Sequence, residues 1–442
     1  MASATSGRSA TVPPQEEATG VATPKRALFA WCLYDWANSG FPTVITTYVF
    51  AAYFAKVVAA SEVEGTSLWA YAMSAAGLAV ALGSPVLGAI ADQVGRRKPW
   101  IGTFSALCIA ATVALWWVVP GSGRVTFALI AVGIGYFAFE MAIVFYNAML
   151  PVLAPPHLLG RISGWGWGLG YVGGLLCLAL SLALVMPDVP PLGLDKATYE
   201  PVRITAVLVA VWFAIFSLPL FSLVPDTPPT GVGAIAAVRG GLASLAATIG
   251  HLRRYRQVAI YLIAHMIYTD GLNTIFAIGG IYVAVTFGME FDEILLFGIG
   301  MNVTAAAGAF AFGWADDRIG SKRTILIALV SIIAIGTGIV LATTKTQLWT
   351  LAIPLGLFVG PAQSASRSLM ARLAPPQMVA EFFGLFALSG KATAFLGPAV
   401  FGLVTEVTAS QRLGMAATLI FVALGALVLL CVDDPQRRPT EA

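Results

Sequence analysis

Apolar residues fall into twelve long runs along the chain, and each run ends at glycine, proline or charged residues. A bilayer core about 30 Å thick requires roughly twenty apolar residues per crossing helix, and the runs have about that length or more. They predict helices at 27–56, 68–90, 99–119, 125–149, 158–186, 201–224, 257–287, 291–314, 323–343, 347–371, 378–405 and 413–431. A polar stretch at 225–255 divides these helices into six and six.

This pattern predicts an all-α membrane protein whose twelve transmembrane helices form two six-helix bundles. We expect the bundles at 25–224 and 256–431, with a cytoplasmic linker at 225–255 between them. Residues 1–24 are rich in Ser, Thr, Ala and Pro and lack the apolar core of a secretory signal, so they predict a disordered cytoplasmic tail. A second short cytoplasmic tail is expected at 432–442.

The two halves repeat each other, which predicts pseudo-symmetric bundles. Residues 154–157, APPH, recur as APPQ at 374–377. Residues 34–38, YDWAN, pair with TDGLN at 269–273, in the first helix of each half. Parallel repeats of this kind are typical of transporters that place the substrate site between their halves near mid-membrane.

The loops after the second and the eighth predicted helix carry one motif. They read GAIADQVGRRK at 88–98 and GWADDRIGSKR at 313–323. Both resemble the motif between helices 2 and 3 of the major facilitator superfamily, G-x-x-x-D-x-x-G-R-[RK]-[RK], although Ser321 makes the second copy the weaker match. The resemblance implies the major-facilitator fold.

Further segments resemble the vacuolar-effluxer-like branch of that superfamily. They are YDWANS at 34–39, QSASRSLMAR at 363–372, EFFG at 381–384 and SGK at 389–391. The branch includes bacterial permeases of unsettled substrate and a fungal vacuolar protein linked to amino-acid efflux. The resemblance extends from about Ala27 to Cys431 and leaves out the tails and residues 230–250.

Composition excludes several other classes of protein. Of the 442 residues, 58% are hydrophobic and 11% are charged, whereas soluble chains carry about a quarter charged residues. The formal net charge of +3 is too small to suggest a nucleic-acid partner. The four cysteines lie far apart in apolar runs and the three histidines lack ligand spacing, so we expect no metal and no cofactor. No catalytic arrangement or ATP-binding motif is visible, so we expect no enzyme.

Basic residues predict the orientation. If the N-terminus is cytoplasmic, about eighteen of the 25 Lys and Arg residues lie in cytoplasmic loops and tails, and about six lie outside. This excess predicts that both termini are cytoplasmic. We therefore expect a multi-pass protein of the cell (inner) membrane, and a monomer.

Charged side chains inside apolar helices are costly and mark candidate functional groups. Two amides also share a helix face with a carboxylate through the i,i+3 relation. The candidates for binding solute or a coupling proton are Asp35, Asn38, Glu140, Asp270, Asn273 and Lys391. Lys391 is the only cation that the pattern places deep in a helix, which suits a substrate carboxylate. The alternative is a set of fixed hydrogen bonds and ion pairs, such as Glu140 with Lys391, that holds the halves together.

A second set of residues is expected to form a cytoplasmic gate. Its members are Asp92, Arg96, Arg97, Arg161, Asp317, Arg318, Arg367 and Glu381. The resemblance implies a latch that holds the cytoplasmic side shut, and carboxylates are stabilised by helix N-termini. For Asp92→Asn at an exposed helix end we expect a cost of about 1 kcal/mol or less. The alternative is that the basic members act only as topology signals.

Residues 164–174, GWGWGLGYVGG, combine glycines with aromatic side chains. Glycines at four-residue spacing favour close helix packing. The alternative is that Trp165, Trp167 and Tyr171 line a cavity and stack on a substrate.

These observations predict a secondary transporter that moves a small polar or zwitterionic, amino-acid-like solute by alternating access, coupled to protons. Its expected partners are that solute, protons and the lipid bilayer. A sugar or nucleoside carrier of the same fold, or a membrane sensor or scaffold that does not transport, are the alternatives.

Overall fold

The computed structural model describes residues 23–433 except 122, 188 and 190. Within this part of the chain, twelve helical segments are long and apolar enough to cross a membrane. The predicted all-α class with twelve transmembrane helices is therefore confirmed. The predicted tails at 1–24 and 432–442 lie almost entirely outside the described residues.

The first half has helices α1 to α7 in chain order. They are α1 (Lys25–Asn38), α2 (Phe50–Tyr53), α3 (Glu62–Val94), α4 (Lys98–Ala114), α5 (Val125–Leu153), α6 (Leu159–Val185) and α7 (Glu200–Leu223). The first membrane span continues from α1 through a π-helical stretch, Phe41–Tyr48. Pro42 has no main-chain N–H, so the α-helical ladder cannot continue unbroken there.

The remaining helices run from the linker to the end of the second half. They are α8 (Ala234–Gly250), α9 (Arg256–Phe287), α10 (Phe291–Ile319), α11 (Ser321–Leu341), α12 (Lys345–Leu373), α13 (Val379–Lys391), α14 (Leu396–Thr408) and α15 (Gln411–Leu430). The eleventh span, Val379–Thr408, is broken between α13 and α14.

The linker at 225–255 contains a helix that was not predicted, α8. Small residues recur along one face of it, and Ala237, Gly241 and Thr248 are buried there. The sequence predicts a polar connection here because Pro228 and the basic residues after His251 dominate the ends of the stretch. Between those ends the helical period is present in the sequence.

Twelve crossings return the chain to the side where it entered, so Lys25 and Leu430 lie on the same side of the bundle. This side is called the terminal face below. The turns that join α3 to α4 and α5 to α6 also lie on it.

The two halves meet along two seams. The first seam joins α3 to α13, and the second joins α6 to α10. A Cβ atom on Gly88 would lie 2.2 Å from the carbonyl oxygen of Ala380, and one on Gly164 would lie 2.4 Å from that of Ala309. Glycine is required at both seams because the main chains of the two halves touch there.

Candidate functional site

The side chain of Arg367, on α12, is buried inside the bundle and reaches the N-terminal half. Its Nη1 donates to Oδ2 of Asp35, on α1, at 2.9 Å and forms an ion pair with it. The hydroxyl of Tyr146 donates to the same carboxylate oxygen at 3.0 Å. A buried carboxylate with a guanidinium and a phenol as partners avoids most of the cost of burying an unpaired charge.

The other donors of Arg367 contact two further helices of the N-terminal half. Nε donates to Oγ of Ser163 at 2.9 Å, and Nη2 donates to the Ser163 carbonyl at 2.7 Å. Nη1 also reaches Oδ1 of Asn147 at 3.3 Å. The guanidinium carbon lies 5.0 Å from the ring centroid of Trp31 and 5.7 Å from that of Trp167. One planar side chain thus connects α12 with α1, α5 and α6.

The sequence pattern groups Arg367 with the predicted cytoplasmic gate and leaves Lys391 as the only deep cation. The structure instead places Arg367 roughly 9 Å inside the end of α12, given a rise of about 1.5 Å per residue. Counting residues from the end of a helix gives the depth of a side chain but not its direction, so the sequence does not predict the contact of Arg367 with Asp35. The repeat held a usable signal, because the offset between 154–157 and 374–377 also aligns Asn147 with Arg367. Equivalent residues that touch lie close to a pseudo-two-fold axis.

A second ion pair crosses between the halves. Nζ of Lys391, on α13, lies 2.8 Å from Oε1 of Glu140, on α5, and donates to the hydroxyl of Tyr136 at 2.7 Å. The structure therefore brings together two of the predicted intramembrane charges. Lys391 is occupied by a protein carboxylate in this conformation.

Asp270 stays within its own half. Its two carboxylate oxygens accept from the main-chain N–H of Gly397 at 3.3 and 3.2 Å, at the start of α14. This carboxylate thus caps the helix that begins after the break in the eleventh span. Among the described residues it has no cationic partner within salt-bridge distance.

The predicted amides Asn38 and Asn273 lie in different environments, as do the carboxylates of Asp35 and Asp270. Asn38 is buried, and its Nδ2 has no hydrogen-bond partner among the described residues. Asn273 is exposed although Asp270 is buried. Residues three apart differ by about 60° around a helix, so the shared face predicted for Asp270 and Asn273 does not give them a shared environment.

The aromatic residues of 164–174 do not act as one group. Trp165 is exposed and packs edge-on against Trp314 with 5.7 Å between the ring centroids. The rings of Trp167 and Tyr171 lie 6.0 Å apart, and the Tyr171 hydroxyl donates to Oε1 of Gln363 in the other half. Trp165 and Trp167 are two residues apart, so they point in nearly opposite directions from the helix axis.

The glycines of the same stretch leave room for the central ion pair. A Cβ atom on Gly166 would lie 2.5 Å from Oδ2 of Asp35 and 2.8 Å from Nη2 of Arg367. One on Gly170 would lie 2.9 Å from Oγ of Ser39. Any side chain at these positions would push α6 away from α1.

At the first seam, Asp92 accepts from the main-chain N–H groups of Ala380 at 3.1 Å and Glu381 at 2.7 Å. These groups are at the start of α13, so the carboxylate of one half caps a helix of the other. Asp92 also forms an ion pair with Arg97 of its own half. Both side chains of this pair are almost completely buried.

At the second seam, Asp317 accepts from the N–H groups of Gly160 at 2.7 Å and Arg161 at 3.2 Å, at the start of α6. Nε of Arg161 donates to the same carboxylate at 2.8 Å. The two repeated motifs therefore place their aspartates symmetrically. Arg96 and Arg318, which were also predicted gate residues, are exposed and form no ion pair within the described part of the chain.

Several residues of this region were not predicted. Asp316 and Arg372 form an ion pair at 2.5 Å within the C-terminal half, and Ser321 donates to Asp316 at 2.6 Å. The serine that weakens the second motif thus has a buried carboxylate as its partner. Ser244, on α8, was not predicted either; its Oγ donates at 2.8 Å to the predicted gate residue Glu381, which is fully buried.

A model of the vacuole effluxer Atg22-like family matches residues 54–442. The chain belongs to this family. The match covers both gate motifs and includes 230–250, which the resemblance had left out. It begins after YDWANS at 34–39, so that segment rests on the sequence resemblance alone.

Similar proteins agree with this family and with the fold. The chain is 26% identical over 414 residues to the uncharacterized MFS-type transporter YxiO of Bacillus subtilis, covering 92% of this chain and 94% of that protein. It is 24% identical over 306 residues to autophagy-related protein 22-1 of Penicillium rubens, covering 64% of this chain and 50% of that protein. The chain therefore spans about half the length of that fungal relative.

A solved structure shows the same architecture. FucP, a major facilitator superfamily transporter crystallised in the outward conformation, superimposes with a TM-score of 0.72 at 14% identity, covering 93% of this chain and 99% of FucP. The family and the fold are those of multi-pass membrane transporters of the major facilitator kind, as predicted, and not those of enzymes. Among the described residues, no group of three or more His, Cys, Asp or Glu side chains is arranged to hold a metal ion.

Proposed function

We propose that this Atg22-like protein is a secondary active transporter for a small zwitterionic, amino-acid-like solute, working by alternating access and coupled to protons. The proposal is supported by two ion pairs inside the membrane, each of which joins the N-terminal half to the C-terminal half. In each, the carboxylate belongs to the N-terminal half and the cation to the C-terminal half: Asp35 with Arg367 and Glu140 with Lys391.

Alternating access requires the halves to move apart on the side that is now closed. Such a movement strains or breaks ion pairs that cross between the halves. An unpaired charge inside the membrane is costly. A zwitterion supplies both missing partners, since its ammonium group can replace Lys391 at Glu140 and its carboxylate can replace Glu140 at Lys391. A sugar brings no charge and cannot make this exchange.

Asp270 is the candidate for the coupling proton. It is a buried carboxylate without a counter-charge among the described residues, and it touches the break in the eleventh span. A proton removes the charge that is most costly in such a place. We expect Asp270→Asn to retain exchange of solute across the membrane and to lose uphill accumulation driven by a pH gradient.

We further propose that the terminal face is cytoplasmic. About seventeen of the 25 basic residues would then lie on the cytoplasmic side, since Arg367 lies inside the bundle, and such an excess is expected for a membrane protein. The contacts of Asp92 and Asp317 lie at this face, so the described conformation would be closed to the cytoplasm. Single cysteines at Ser61 and Lys196 should then react with an impermeant label on intact cells, and those at Ala236 and Arg318 should not; the reverse pattern contradicts the orientation.

The zwitterion proposal is tested with purified protein in proteoliposomes. A thermal-shift screen of amino acids, sugars and nucleosides identifies a ligand, because a compound that binds only the folded state raises the melting temperature. Counterflow of that ligand is then measured for Lys391→Ala, Glu140→Ala and the double variant. Lys345→Ala is the matched control, since Lys345 pairs with Glu293 at 2.6 Å in an exposed position outside the membrane interior.

The double variant decides between the two roles of the pair. Each single variant leaves a partly buried charge unpaired inside the membrane and should lower stability by about 3 kcal/mol. If the proposal is right, the double variant recovers folding but not binding, and an analogue without its carboxylate loses affinity only for the unmutated protein. Recovery of both folding and counterflow would make Glu140 and Lys391 a structural pair and contradict the zwitterion site.

A further inference from the structure

Helix α8 has two different faces. Its small residues pack on the first seam, where a Cβ atom on Gly241 would lie 2.8 Å from the main-chain nitrogen of Ile90. Large apolar residues recur along another line of the helix: Ile235, Val238, Leu242, Leu245 and Ile249. Positions 235, 238, 242 and 249 of this set are exposed. The two faces are centred roughly 110° apart at about 100° per residue.

The start of the linker fixes α8 at the level of the helix ends. Oγ1 of Thr230 donates to the carbonyl of Gln93, and the Thr230 N–H donates to the carbonyl of Val94 at 3.1 Å. Oδ1 of Asp226 accepts from the Arg97 N–H at 2.8 Å, at the start of α4. Helix α8 therefore lies against the last turns of α3, where a spanning helix leaves the hydrocarbon core.

Exposed apolar side chains also reach the terminal face on a spanning helix. Leu223 is the last residue of α7, at the terminal face, and its side chain is exposed. A bilayer around the spanning helices would therefore have apolar side chains to contact at the level of α8 and its apolar line.

The charge around this line has one sign. Residues 234–256 contain Arg239, Arg253, Arg254 and Arg256 and no Asp or Glu. All four arginines are exposed, and none of them forms an ion pair within the described part of the chain. An amphipathic helix flanked by basic residues binds the interface of a bilayer that carries anionic lipids.

We propose that α8 is an interfacial helix whose line of Ile235, Val238, Leu242, Leu245 and Ile249 is inserted into the anionic leaflet at the terminal face. The other face of α8 contacts α3 and, through Ser244, Glu381 on α13. The helix would thus attach the first seam to the membrane surface. The occupant of the exposed line is lipid, and the four arginines contact its phosphate groups.

The test uses the full chain with its exposed cysteine removed by Cys431→Ser, since Cys32, Cys108 and Cys177 are buried. An environment-sensitive fluorophore is attached at Leu242→Cys, on the apolar line, or at Ala247→Cys, an exposed position on another face of the same helix. The protein is placed in vesicles of phosphatidylcholine, with or without phosphatidylglycerol. Quenching is measured with nitroxide lipids labelled near the headgroup and with aqueous iodide.

If the proposal is right, the label at position 242 is quenched severalfold more by nitroxide lipid than the label at position 247, and iodide shows the opposite order. Phosphatidylglycerol should increase the nitroxide quenching at position 242, and Arg253→Glu with Arg254→Glu should abolish that increase. Equal nitroxide quenching at the two positions overturns the proposal. Protection of position 242 from both quenchers, with energy transfer between labelled copies, would assign the line to a second copy of the chain and also overturn it.

Discussion

The two seams between the halves place equivalent aspartates in the same way but pair them differently. Asp92 and Asp317 each cap a helix of the opposite half. Asp92 pairs with Arg97, which is buried in the same half. Asp317 pairs across the seam with Arg161, whose side chain is 32% exposed, and within its own half with the buried Arg372 at 3.5 Å. The pair of Asp92 with Arg97 can remain intact when the halves separate, while the pair of Asp317 with Arg161 must break.

Within the described part of the chain, α8 packs on the first seam and no such helix packs on the second, and the repeat suggests a reason. Arg161 and Glu381 follow the two Pro-Pro segments at the same distance, so one position carries opposite charges in the two halves. Arg161 attracts the nearby aspartate, but Glu381 lies next to Asp92 and repels it. Ser244 of α8 donates to Glu381 and partly compensates for this repulsion. The main chains of the halves are thus pseudo-symmetric, and their electrostatics are not.

The largest expected effect comes from a glycine at the first seam, where the main chains of the two halves touch. Gly88→Val should prevent closure of the terminal face, because the new side chain would overlap the carbonyl of Ala380, at a cost of about 3 kcal/mol or more. Reaction of a cysteine at Ser364, which is buried between the halves, measures the opening. Gly77→Val on the same helix is the control, since nothing lies within 4 Å of a Cβ atom there. Equal reactivity of the two variants would contradict the close contact.

The second prediction concerns the buried ion pair of Asp92 with Arg97 at the first seam. Asp92→Asn should lower the stability of the whole protein by roughly 3 kcal/mol, since it leaves the buried guanidinium of Arg97 unpaired. The cost of about 1 kcal/mol or less expected from the sequence assumes an exposed helix end, whereas the side chain of Asp92 is 3% exposed. Thermal unfolding in detergent measures the effect, and adding Arg97→Leu should restore most of the loss. Failure of this rescue would mean that the helix cap, not the pair, carries the stability.

The third prediction concerns the ion pair of Asp317 with Arg161, which must break when the halves separate. Asp317→Asn should leave unfolding almost unchanged, because the partly exposed Arg161 can be hydrated and the buried Arg372 keeps Asp316 as its closer partner. It should shift the balance toward the state that is open at the terminal face by about 1 kcal/mol, which is about fivefold. Cysteine reactivity at Ser364 again reports the shift. If Asp317→Asn destabilises as strongly as Asp92→Asn, the two seams are not different in the way described.

The smallest expected effect is at α8, which packs on the first seam. Ser244→Ala removes a hydrogen bond to Glu381 and should loosen only the first seam, by roughly 1 kcal/mol. Hydrogen–deuterium exchange at the start of α13, compared with the start of α6, measures the difference. Ser222→Ala is the control, because its hydroxyl donates only to carbonyls of its own helix. A change at both seams would contradict the local role of α8.

The repeat and the charge pattern predicted many of the residues that meet at the seams but few of their pairings. Asp92 and Asp317 could be expected to meet helix N-termini, because each lies at the end of its own helix and each Pro-Pro segment introduces another helix. The ion pair between Asp35 and Arg367 could not be found in this way. Its partners are separated by most of the chain, and the rotation of α12 about its own axis decides which side chain points inward.

The same limit applies to Asp35 and Asp270, which the repeat makes equivalent. The amino-acid sequence by itself determined the twelve spans, the two halves and the family, because lipid forces every crossing segment to be apolar and helical and leaves polar residues at the ends. Tertiary structure alone decided that Asp35 meets a cation of the other half while Asp270 caps α14 in its own. The reason is physical: helical periodicity fixes which residues share a face of one helix, whereas the neighbour that this face meets depends on packing between helices distant in the chain.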